Sequence, residues 1–140
     1  MFKLHWKKVL ISLAISSIAL LVMSFVMLKL SIYLFPGVTM EYLSPVFRPA
    51  GRMDWLYYGH PIVISIALLW FWERYKEIFT GPCLLRAFEV ALVYGIVALI
   101  PVLWLTFSAI DVSVRMILTW LLYGFIQAFV AGFVFAKLDC

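Results

Sequence analysis

The sequence predicts an all-α membrane protein: four transmembrane helices in an antiparallel bundle, with a partly ordered outer loop between the first two. Three observations carry that reading. Hydrophobic residues make up 66% of the 140 and charged residues 13%, against roughly 45–50% and 25% in soluble domains. A soluble chain of this length has too much surface for its volume to hide so much apolar area. The apolar residues also fall into four long runs, at 9–34, 55–75, 84–106 and 114–136, and a helix of about 20 residues crosses the hydrocarbon core. The length fits a single domain.

The first run follows Lys3, Lys7 and Lys8, which resembles the basic start of a secretory signal. It is longer than a signal's apolar core of roughly 7–15 residues, and no small-x-small cleavage site follows. It reads as a retained span, with Lys29 able to snorkel at the far interface and Pro36-Gly37 expected to stop the helix. The loop of about 20–25 residues that follows, 36–60, exceeds the usual connection length. It concentrates prolines, Glu41, Arg48, Arg52 and Asp54, with Trp55, Tyr57 and Tyr58 placed at headgroup level, where amphipathic rings sit well.

The second span places His60 and Pro61 in its first turns, where a missing proline N–H is tolerated. It ends in Glu73, Arg74, Lys76 and Glu77, which predict i,i+3 pairs Glu73–Lys76 and Arg74–Glu77 on a solvated extension. Thr80-Gly81-Pro82 breaks that helix. Pro101 predicts a kink late in the third span, since it removes the bond to Val97. Asp111 or Ser113 is the expected cap of the fourth, which exits at Lys137.

Four spans put both termini on one side. That side carries Lys3, Lys7, Lys8, Arg74, Lys76, Arg86 and Lys137, and the other Lys29, Arg48, Arg52 and Arg115. The excess of basic residues places both termini in the cytoplasm. Cys83 and Cys140 fall on the same side, fit no redox or zinc spacing, and are expected to be reduced thiols there.

Several constellations are candidates for function. Gly124, Ala128, Gly132 and Ala136 recur every four residues on the fourth span, and Ala87, Ala91 and Gly95 form a similar row on the third. Small faces let helix backbones approach closely, within the chain or against a partner. Gln127 and Tyr94 have comparable depth and are expected to hydrogen-bond, because a buried amide needs a partner. Glu89 is an intramembrane carboxylate and so a functional candidate, with Arg86 one turn away as its expected ion-pair partner. In the loop, Arg48, Arg52, Tyr57, Tyr58 and His60 form a candidate ligand site, since guanidinium forks suit anionic headgroups or carboxylates. Haem or chlorophyll ligation by His60 ranks below simple hydrogen bonding. No cofactor is implied, and no metal site is expected, because His5 lies on the opposite side. No basic stripe interleaved with aromatics points to nucleic acid, and no nucleophile triad or phosphate loop is present.

These features rank three roles. The first is a non-catalytic accessory or structural subunit, an assembly partner in a membrane complex. The alternative is a homo-oligomeric membrane enzyme, or a lipid- or small-molecule-binding protein, with its site at the outer loop. A small transporter using Glu89 comes third, because the spans hold a single acid and Pro101 is the only sign of a discontinuous helix. The expected partners are the lipid bilayer and other membrane subunits, or a copy of the chain itself.

Overall fold

The computed structural model describes residues 6–41 and 54–139. Among these the regular structure is helical, with no strand: α1 (Trp6–Leu34), a short α2 (Pro36–Glu41), α3 (Asp54–Tyr75), α4 (Cys83–Tyr94), a π-helical turn (Gly95–Leu99), α5 (Ile100–Ala109) and α6 (Val114–Asp139). Four helical stretches are long and apolar enough to cross a membrane: Trp6–Leu34, Trp55–Tyr75, Cys83–Ala109 and Val114–Asp139.

α1 holds no glycine or proline, so nothing interrupts its ladder until Pro36, which opens α2 rather than a loop. Proline suits that first helical position because its missing N–H needs no partner there. The buried face of α1 is Ser12, Ser16, Leu20 and Ser24, while Ile11, Ile15, Ile18 and Val22 are exposed. Aliphatics outside and hydroxyls inside reverse the pattern of a water-soluble helix, and suit an apolar surrounding in which polar side chains bond between helices.

In α3, Pro61 is buried and lies seven residues past the helix start at Asp54. That is about two turns in, as expected, and Pro61 removes the N–H that would bond the Tyr57 carbonyl. The helix ends at Tyr75, and a turn at 76–78 replaces the expected solvated extension. Gly81 has φ +100°, a left-handed conformation that glycine adopts at little cost, and the chain reverses there into α4. Before Pro101 the break takes the form of the π-helical turn, closed by Ile100 N–H to the Gly95 carbonyl. A wider turn accommodates a proline that cannot donate. Ser113 caps α6 through its side-chain oxygen, which accepts from Met116 N at 3.3 Å.

α6 is the central element, touching α1, α3, α4 and α5, while α4 and α5 make at most marginal contact with α1 and α3. Along α4 and α6 the partners run in opposite order. Cys83 Sγ lies 3.7 Å from the Ala136 carbonyl, Gly132 faces Ala87 and Val90, and Gly124 faces Leu99. Lys8 meets Asp139 at one end of α1, and Ser24 meets Tyr123 sixteen residues further along both helices. Phe25 of α1 stacks on Tyr58 of α3 with ring centroids 5.3 Å apart.

Candidate functional site

The densest polar cluster sits where α1 begins and α3 and α6 end. Asp139 accepts from Lys8 at one carboxylate oxygen and from Trp72 Nε1 at the other, at 2.6 Å. Lys76 Nζ stands 3.7 Å from the same Asp139 and 3.1 Å from Glu73, so the expected Glu73–Lys76 pair is present. The expected Arg74–Glu77 pair is not among the ion pairs of the described residues. Trp72 is buried, stacks on Phe79 at 5.9 Å and contacts Phe135 at 6.4 Å.

This cluster has an electrostatic cause. A carboxylate at a helix C-terminus and a lysine in a first turn each oppose the helix dipole. Pairing Asp139 with Lys8 cancels both conflicts, and the bond from Trp72 to the same carboxylate ties α3 to α1 and α6. Sequence reading missed the cluster, although an acid in the last turn of α6 signals that a tertiary partner is needed. Its carboxylate is held by two hydrogen-bond donors, Lys8 and Trp72, with Lys76 as a further ion-pair partner, which makes it a structural clamp. Beside it, Lys7, Lys8, Ile11 and Leu138 line an open cleft of ≈ 440 Å³.

Cys83 is disulfide-bonded, which corrects the expectation of two free thiols. Cys140, the only other cysteine in the sequence, lies outside the described residues. The expectation rested on cytoplasmic redox conditions.

Inside the helical body, Ser24 Oγ donates to the Leu20 carbonyl at 2.9 Å and accepts from Tyr123 Oη at 2.7 Å. Gln127, buried, lies one turn beyond Tyr123, so it shares the side of α6 that faces α1. Its Nε2 has no hydrogen-bond partner, so it does not donate to Tyr94 as expected. Gln127 lies about 40° around the α6 axis from Tyr123, which bonds to α1, and about 60° from Gly124, which meets Leu99, so equal depth alone did not bring it to Tyr94. Ser65 Oγ on α3 is likewise buried without a partner. Tyr94 is half-buried and packs against the core.

On α4, Arg86 and Glu89 are half-buried, yet they form no ion pair, and Arg86 Nε is buried without a partner. The expected pairing between them is therefore absent. Gly124, Ala128, Gly132 and Ala136 are all buried, as are Ala87, Ala91 and Gly95. A Cβ added at Gly132 would lie 3.2 Å from Ala87 Cα.

Of the outer-loop candidates, Arg48 and Arg52 lie outside the described residues. Tyr57, Tyr58 and His60 fall on the first turns of α3, all exposed, with Tyr57 and Tyr58 edge to face at 5.3 Å. Tyr58 is engaged by Phe25, so packing already occupies one of the three. No group of three or more His, Cys, Asp or Glu able to hold a metal occurs among the described residues.

Helices of this length and apolarity define a small protein suited to a membrane. No family profile, curated protein or solved structure matches the chain.

Proposed function

We propose that the chain is a four-span integral membrane protein, an antiparallel bundle that serves as a non-catalytic subunit and docks other membrane chains along its α4–α5 flank. The observation that carries this reading is the asymmetry of packing around α6. α1 and α3 touch each other and α6, whereas α4 and α5 rest chiefly on α6, with at most marginal contact to α1 and α3. In a closed bundle each helix packs against two neighbours, so this flank has room for one more. Helix association in lipid comes from packing and polar pairing rather than from a hydrophobic drive, and α4 brings unpaired polar groups to that surface.

Both termini are assigned to the cytoplasm on the distribution of lysine and arginine. The Cys83 disulfide argues the other way, because such bonds persist in oxidising compartments, and trapping of the thiols decides between them. The subunit reading is tested by native mass spectrometry after gentle extraction from the source membrane. A complex heavier than the 16.2 kDa chain is expected. A lone chain at that mass, with its lipid shell intact, would overturn the assignment.

A further inference from the structure

We infer that the outward face of α4 is a self-association surface, on which a second copy of the chain docks with each Glu89 paired to the other copy's Arg86. The inference rests on the subunit reading above and names the partner. Leu85, Glu89 and Leu92 fall within about 60° of one another around the helix, diametrically opposite the buried Ala87, Val90 and Ala91 that face α6. Leu85 and Leu92 are 45% and 43% exposed, so the stripe is apolar above and below a single carboxylate. Glu89 lies about 9 Å along the helix from Cys83, inside the apolar stretch.

An ionisable group on the lipid-facing side of a spanning helix is costly, and such groups normally face protein and pair. Among the described residues Glu89 has no cation, and Arg86, half-buried one turn away on the flank of the same stripe, has no acid. Within one copy the two do not pair. A two-fold axis along the membrane normal keeps both copies in the same orientation and makes the patch self-complementary. Each carboxylate then meets a guanidinium at nearly its own depth, and the patch of two acids and two bases is neutral. The bidentate fork of arginine suits that contact. The two central carboxylates would otherwise repel, so the arginines are what permit the approach.

The test is dimerisation of full-length protein in liposomes, read by energy transfer between labelled copies, for wild type, Arg86→Glu, Glu89→Arg and the exchanged double variant. Wild type is expected to dimerise. Each single reversal places like charges across the interface and raises the apparent dissociation constant by about 100-fold, while the exchange restores it. Circular dichroism of each variant checks folding, and rescue by the double variant separates pairing from misfolding. Wild-type monomer at every lipid ratio overturns the inference, as do single reversals that still dimerise. If native mass spectrometry meanwhile finds a different chain bound, the subunit reading stands and only self-association falls; a lone chain in both measurements ends both.

Discussion

Gly132 provides the sharpest test of how α4 meets α6. A Cβ placed there would lie 3.1 Å from Val90 Cβ, 3.2 Å from Ala87 Cα and 3.3 Å from the Ala87 carbonyl oxygen. Two of those atoms are backbone, and ordinary carbon contacts are about 3.5–4.0 Å, so relief requires the helices to separate by a few tenths of an ångström. Such overpacking typically costs about 1–3 kcal/mol. Against it stands the helix-propensity gain of replacing glycine by alanine, about 1 kcal/mol. Gly59, in α3, has nothing within 4 Å of the same Cβ position, so Gly59→Ala keeps the gain without the strain. Gly132→Ala is therefore expected to be less stable than Gly59→Ala by about 1–3 kcal/mol. Unfolding in mixed detergent micelles, followed by circular dichroism, measures both. Equal stabilisation of the two variants would refute the close approach of α6 to Ala87.

Three further outcomes follow from the polar groups. Asp139→Asn leaves Lys8 and Lys76 without their shared acid and is expected to lower stability by about 1–2 kcal/mol in the same assay. Combining it with Lys8→Met should cost less than the two single losses together, because both remove one contact. Gln127→Leu removes a buried donor that has no partner, so stability is expected to stay level or rise by about 1 kcal/mol; a marked fall would mean that the amide is bonded. With Cys83 disulfide-bonded, membrane-permeant alkylation of intact cells before lysis is expected to leave it unmodified until reductant is added, which would place its end on an oxidising side. Full modification without reductant would refute the bond and support the cytoplasmic assignment.

The helical class was legible because it depends on local chemistry. Runs of Leu, Ile, Val and Phe between Pro36, Gly81-Pro82 and Asp111 leave the backbone little choice but helix once water is excluded. Ser113 as cap, the break before Pro101 and the Glu73–Lys76 pair are local too, set by neighbours within four residues. Groups whose partners lie on other helices were misread. Gln127 and Tyr94 share a depth, but depth does not fix the angle around the helix axis, and Gln127 Nε2 has no partner. Arg86 and Glu89 have the spacing of an ion pair without the contact. Asp139, 131 residues from Lys8, carries no local pattern beyond sitting at the wrong end of a dipole.

The sequence by itself determined that the chain is helical and that its long helices are apolar enough for lipid, because length, composition and helix breakers act residue by residue. Tertiary structure alone decided that α6 is the hub, that three serines and Leu20 line the inner face of α1, and that Lys8, Trp72 and Lys76 converge on Asp139. Those outcomes depend on which helix faces lie against each other. Nearly every face of these helices is apolar, so hydrophobic patterning does not choose among them; small side chains and scattered polar groups do.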